Sequence, residues 1–152
     1  MAKGLKVYWA AGLHRWSIQQ LNEQMAKRLE DAGQIVLLPQ RHGIWEPMIK
    51  ERMALDSDLS YEDALNLVKM HCYEMDMRDM IAADACVMFC ADKPPAEGAV
   101  FELTYITEKD KPGCMFVPDD KVWAEINLML TQRFIRCRTI EGVIEFLDEV
   151  AN

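Results

Sequence analysis

The sequence predicts a Rossmann/flavodoxin-like three-layer α/β sandwich, a single-domain, mostly parallel five-stranded sheet with helices on both faces. Three observations predict it. Short apolar, β-favouring runs alternate along the chain with longer segments of helical periodicity. The strand segments are continuously apolar rather than alternating in and out, which is the pattern of strands covered on both faces of a parallel sheet. The chain has 152 residues, 51% of them hydrophobic, and a domain of that length buries roughly 70% of the surface its unfolded form exposes. No repeat, linker or low-complexity segment divides residues 1–152, so they are read as one domain.

The elements follow in order. Leu5–Ala10 (LKVYWA) is a first buried strand that runs into a turn at Ala11–Gly12. From about Arg15 to Ala32, apolar positions Trp16, Ile18, Leu21, Met25 and Leu29 recur at helical spacing, and Gly33 closes the helix. Gln34–Leu38 is a second strand stopped by Pro39. Residues 40–59 read as a long loop with room for one helical turn, and loops that long in a compact domain are usually functional. Ser60-Tyr-Glu-Asp63 resembles a capping box and opens a helix that reaches about Ala83. Ala85–Ala91 is a third strand, Gly98 to about Lys109 a helix, Gly113–Pro118 a fourth strand, and Lys121 to about Leu130 another helix. Phe134–Arg138 is a short fifth strand, and Ile140–Val150 an amphipathic last helix.

Charge and cysteine usage narrow the function. The net charge is -8, from 25 acidic and 17 basic residues. A nucleic-acid binder carries the opposite sign or a basic stripe, so a polymer partner is not expected, whereas a neutral small molecule meets no electrostatic objection. The five cysteines (Cys72, Cys86, Cys90, Cys114 and Cys137) form no CxxC pair and read as reduced, mostly buried small hydrophobes. Cys86 and Cys90 are alternate strand positions, with Met88 between them, and no paired His/Cys set accompanies them. Neither a metal nor another cofactor is therefore expected. The first residues, MAKGLKVYWAAG, lack a signal-peptide core. No apolar run approaches the roughly 20 residues of a membrane span. The expected location is the cytoplasm.

In parallel sheets of this kind, ligands bind beyond the carboxyl ends of the strands. That directs attention to Tyr8–His14, Pro39–Glu51, Asp92–Glu102 and Pro118–Asn127. Glu102 stands about one turn into the helix opened by Gly98. The helix dipole there favours an ionised carboxylate, as a nucleophile must be; an ordinary solvated helix glutamate would look the same. Asp76 reads equally as a capping acid near a helix end, Asp84 as a terminator of the element before the strand, and Tyr8 as a core tyrosine. Asn127 is an amide inside an apolar run, and a satisfied buried amide or an interface contact would both explain it. Arg15 with Ser17 at a helix start could hold a phosphate, or be merely solvated. His14, His42 and His71 are scattered, and neither a GxGxxG nor a GxxxxGK motif occurs.

Taken together, four segments resemble the nucleoside 2-deoxyribosyltransferases and the related deoxynucleoside 5′-monophosphate N-glycosidases. Val7-Tyr-Trp-Ala-Ala-Gly12 looks like that family's first strand and glycine turn. Asp76, eight residues before Asp84, resembles its base-contacting aspartate. Gly98-Ala-Val-Phe-Glu-Leu103 is similar to its G-x-x-x-E-[LIV] helix start. Asn127, in Asn-Leu-Met and 25 residues after Glu102, resembles an asparagine that enters a neighbouring subunit's site in the transferases. One position departs: where transferases often carry aspartate six residues before the nucleophile, this chain has Ala96, with Glu97 beside it.

The resemblance implies that Glu102 attacks C1′ of a 2′-deoxyribonucleoside, Tyr8 orients it, and Asp76 manages the base proton. Gly12, Ala96, Glu97, Gly98 and Asn127 would then line the substrate site, and Trp9, Trp45 and Phe101 would shape the base pocket or else be core. The implied partners are a nucleoside or nucleotide, a free nucleobase and a second copy of the chain. Transfer of the sugar to another base is the first expectation. Hydrolysis of a nucleoside 5′-monophosphate is the second, and a non-catalytic nucleotide-binding module the third.

Overall fold

A computed structural model describes residues 4–152. Five strands form one sheet: β1 (Lys6–Ala11), β2 (Ile35–Leu37), β3 (Ala85–Phe89), β4 (Gly113–Phe116) and β5 (Ile135–Cys137). Their order is β2-β1-β3-β4-β5 and every pairing is parallel. That is the flavodoxin-like order, with its switch point between β1 and β3. The expected single-domain α/β fold is therefore observed, and "mostly parallel" becomes wholly parallel.

Alternation along β1 assigns the two faces, because successive side chains on a strand point to opposite sides. Val7 and Trp9 pack with Val36, Val87 and Phe116 under α1 (Trp16–Asp31) and α7 (Ile140–Ala151). Tyr8 and Ala10 pack with Cys86, Met88, Cys90 and Met115 under α3 (Tyr61–Ala82) and α4 (Glu97–Thr107). A third, smaller cluster of Ile49, Ala64 and Val68 joins α3 to α2 (Trp45–Leu55).

Several boundaries follow the expected chemistry. The Ser60 side chain accepts a hydrogen bond from the Asp63 N–H and caps α3. Gly33 follows α1 at φ 97°, a conformation that favours glycine.

Two expectations are corrected. Residues 40–59 are not a long loop: a short 3-10 helix (Pro39–His42) is followed by α2, eleven residues long. Helical periodicity is weak there because α2 buries only Ile49 fully and leaves Trp45 and Leu55 exposed. The single helix expected over residues 121–130 is two, α5 (Asp120–Glu125) and α6 (Leu128–Arg133). Asn127 breaks them apart, its Oδ1 accepting from the Met129 N–H as the cap of α6. Trp16, the first of the apolar positions of α1, is 71% exposed.

Candidate active site

The functional side chains converge on the Tyr8 face of the sheet. Tyr8 is fully buried at mid-β1. α4 begins at Glu97, so Glu102 lies in its second turn, on the side turned towards β1 and α3. α3 carries Asp76 past the same point. A cleft of about 330 Å³ opens there, lined by Tyr73, Asp76, Met80, Gly98, Phe101 and Glu102. Gly98 lies one turn before Glu102 on the same wall, and a Cβ there would stand 4.0 Å from Glu102 Oε1, an ordinary contact.

The electrostatics of the cleft are dominated by burial. Glu102 is pushed up to about 7 by desolvation; the Tyr8 hydroxyl opposes the rise and the Asp76 carboxylate adds to it. This corrects the expectation of a dipole-stabilised anion. The helix dipole fades within the first turn, and Glu102 sits beyond it, where loss of water decides. Asp76 is pushed up to about 6, again chiefly by desolvation, with His42 opposing and Asp79 adding. Tyr8 is raised far above the ordinary phenol range by burial and by the charges of Glu102 and Asp76. The Tyr8 hydroxyl lies against Glu102, yet Tyr8 Oη and Glu102 Oε2 are both buried without a partner in direct hydrogen-bond geometry. Catalytic hydrogen bonds are often loose until substrate closes the site.

A second cleft of about 570 Å³ adjoins the first at Tyr73 and Asp76 and runs outward past Cys72, Lys69, Gly43, Ile44 and Trp45. Trp45 is 46% exposed on its wall, with the Lys69 ammonium 5.5 Å from the centre of its ring. A third, narrower crevice of about 130 Å³ lies at the β1/β3 switch point, lined among others by Gly12, His14, Asp92, Lys93 and Ala96.

The remaining sequence candidates divide. Glu102, Tyr8, Asp76 and Gly98 come together, Phe101 lines the same cleft, and Trp45 lines the adjoining one. Gly12 and Ala96 belong to the switch-point crevice. Glu97 is exposed on a different side of α4, in a groove with Val100, Phe101 and Tyr105, so it does not take the place of the missing aspartate within this chain's cleft. Trp9 is corrected outright. It is fully buried on the opposite face, its Nε1 donating to Asn22 Oδ1 at 3.2 Å. Asn127 is exposed outside the cleft, beside Leu128 and Met129, which are 67% and 73% exposed. Arg15 does not pair with Ser17 at a phosphate position; its guanidinium is bound to Asp92, and His14 Nε2 stands 3.4 Å from the same carboxylate.

The sequence reading missed the pair of His42 and Asp79, joined by a hydrogen bond beside Asp76. The i,i+3 spacing of Asp76 and Asp79 on one helix was a usable signal; a histidine 37 residues away from Asp79 was not. Among the described residues, no group of three or more His, Cys, Asp and Glu side chains is arranged to hold a metal ion, and no helix is long and apolar enough to cross a membrane.

A family model described as nucleoside 2-deoxyribosyltransferase matches residues 7–140. The chain belongs to that family. The fold agrees with solved relatives. A 2-deoxyribosyltransferase from Bacillus psychrosaccharolyticus superposes with a TM-score of 0.66 at 20% identity, over 91% of this chain and 90% of that one. A protein from Enterococcus faecalis V583 gives 0.67 at 13% identity, over 97% and 99%. A CMP N-glycosidase from Clostridium botulinum gives 0.50 at 14% identity, over 95% and 98%. No curated protein matches the chain by sequence. The family match supports nucleoside deoxyribosyltransferase activity, and the solved structures agree in fold.

Proposed function

We propose that the protein cleaves the N-glycosidic bond of 2′-deoxyribonucleosides and transfers the deoxyribosyl group to another nucleobase through a covalent glycosyl-Glu102 intermediate. The observation that carries this reading is the meeting of Glu102, Asp76 and the buried Tyr8 hydroxyl at one cleft. In the first step a Glu102 carboxylate oxygen forms a bond to C1′ while the bond from C1′ to the base nitrogen breaks through an oxocarbenium-like transition state. A 2′-deoxy sugar has no electron-withdrawing 2′-hydroxyl to oppose that charge. Asp76, as the acid, delivers a proton to the departing base; in the second step it takes one from the incoming base as that base displaces Glu102. Tyr8, whose hydroxyl lies against Glu102, hydrogen-bonds and orients it once substrate closes the site.

Asn127 completes the site of a second copy in this proposal. Its exposure outside its own cleft supports that role, as do exposed Leu128, Met129, Phe101, Met70 and Tyr73, which give a homodimer or larger assembly apolar surface to bury. The free cysteines fit a reducing compartment, and the proposed location is the cytoplasm.

Transfer is preferred over hydrolysis of a nucleoside 5′-monophosphate because Arg15, the phosphate-binding candidate at the start of α1, is already paired with Asp92. Incubation with deoxyinosine and free adenine tests the proposal. New deoxyadenosine is the expected product. Hypoxanthine release without a new nucleoside would replace transfer with hydrolysis. Glu102→Ala should abolish turnover in a folded chain, and near-normal activity in that variant would remove the mechanism.

A further inference from the structure

We propose that His42, held by Asp79, is a positioning residue for Asp76 that sets the charge state of the carboxyl group facing the base. The proposal rests on the reading of Asp76 as the base-side acid.

Local chain geometry brings His42 to α3. His42 ends the Pro39–His42 helix, and the next residue, Gly43, has φ 127°. A side chain is disfavoured at Gly43 because the conformation suits glycine. The chain turns there, sending Ile44 and Trp45 to the wall of the outer cleft and leaving His42 against α3. His42 Nε2 is hydrogen-bonded to Asp79 Oδ2, with side-chain exposures of only 24% and 14%. Asp79 stands one turn after Asp76 on the same helix, so the two carboxylates are neighbours on its surface. One pair of side chains therefore ties the cleft wall to the helix carrying Asp76, and partners the second carboxylate.

Other groups also bear on Asp76. Asp79 and Cys72 do so from α3, Glu102 from α4 and Tyr8 from β1, while Glu46 and Lys69 line the outer cleft. Within this set His42 opposes the rise of Asp76 and Asp79 adds to it. Without His42, the Asp79 charge would stand unpartnered one turn from Asp76, and like charges disfavour ionisation. Asp76 would then hold its proton to higher pH and lose basicity in the step where the incoming base must be deprotonated.

The test follows the Asp76 carboxyl by carbon-13 NMR through a pH titration, beside the pH dependence of kcat/KM. The proteins are the wild type, His42→Ala, His42→Gln and the double variant His42→Ala/Asp79→Asn. The His42 single variants should raise the Asp76 midpoint by about one pH unit. Removing Asp79's charge as well should bring it back towards the wild-type value. The pH profile of kcat/KM should move in the same directions. His42→Gln can still donate to Asp79 and so reads the charge separately from the tether, should His42→Ala fail to fold. An unchanged midpoint in His42→Gln, or a double variant as high as the single, would overturn the proposal. The NMR titration needs no turnover: shifted midpoints with an active Glu102→Ala would sink the mechanism and leave the coupling standing.

Discussion

Tyr8 and Trp9 are adjacent on β1, both fully buried, and they lie in opposite environments. Trp9 packs tilted against Phe89 and edge-on to Phe116, with ring centres 5.4 Å and 6.2 Å away, and its one polar hydrogen is donated to Asn22. Asn22 is itself fully buried, and its Nδ2 donates to the Gly12 carbonyl at 3.2 Å and to Gln40 Oε1 at 3.1 Å. The side-chain polar atoms of that cluster are thus matched. On the other face the Tyr8 hydroxyl and Glu102 Oε2 are buried without direct partners, and two carboxyl groups are raised by lost hydration. Buried polar atoms are normally satisfied, so their exceptions mark where the fold gives up stability. The α1/α7 face is packed with its buried polar atoms paired, and the α3/α4 face holds reactive groups in an unfavourable setting.

The sharpest way to break this comparison is to damage the satisfied face. Asn22→Ala would strip the Trp9 N–H and Gln40 of a partner and release the carbonyl at Gly12. We expect a loss of about 3 kcal/mol in unfolding free energy, as several buried polar groups are orphaned together. Urea denaturation measures it. A loss below about 1 kcal/mol would show that the network is not what stabilises that face.

The mirror experiment is Glu102→Gln on the other face, where the sign should reverse. The ordinary glutamate value is 4.5 and the folded one is about 7. Between those values the folded protein binds the extra proton, so stability falls as pH rises through the window and levels off above it. The amide removes that slope. At pH 8 the variant should be more stable than wild type by about 2 kcal/mol, less than the full shift because the side chain keeps some contact with solvent. At pH 4 the two should coincide. Thermal melts across that range check the prediction, and equal melting differences at both ends would refute it.

The contrast also explains what the sequence disclosed. Strand identities, the wholly buried β3 and the α3 cap were legible because periodicity and capping chemistry are local. The grouping of Glu102 with Asp76 and Tyr8 was legible only through the family resemblance. Trp9 was misjudged because neighbouring strand residues point to opposite faces, and a list of aromatics near a strand end ignores that alternation. The missed His42–Asp79 pair and the satisfied Asn22 network depend on long-range packing, which no local spacing encodes. The missed helix α2 had little amphipathic signal, since only Ile49 is fully buried on it.

A further test uses the pH profile of kcat/KM. The cleft carries two carboxyl groups near 6 and 7, Asp76 and Glu102. The attacking form has Glu102 ionised and Asp76 protonated, so one proton is shared between the two groups. The profile should be bell-shaped, with limbs that belong to the pair rather than to either residue. A flat profile between pH 5 and 8 would separate this cleft from the rate-limiting chemistry.

The smallest expected effect on stability, and the most specific to the reactive face, is that of Tyr8→Phe. The hydroxyl removed has no direct hydrogen bond, so the change should alter unfolding free energy by less than about 1 kcal/mol. It should nevertheless move the chemistry. The hydroxyl opposes the rise of Glu102, so without it the carboxyl should hold its proton to higher pH, and the acidic limb of the profile should shift upward. Activity at pH 6 should then fall more than activity at pH 8. A variant that loses activity equally at both pH values would show that Tyr8 acts only as a spacer under Glu102. One that loses several kcal/mol of stability would show that the hydroxyl is as fully satisfied as the Trp9 N–H, and the difference between the two faces would disappear.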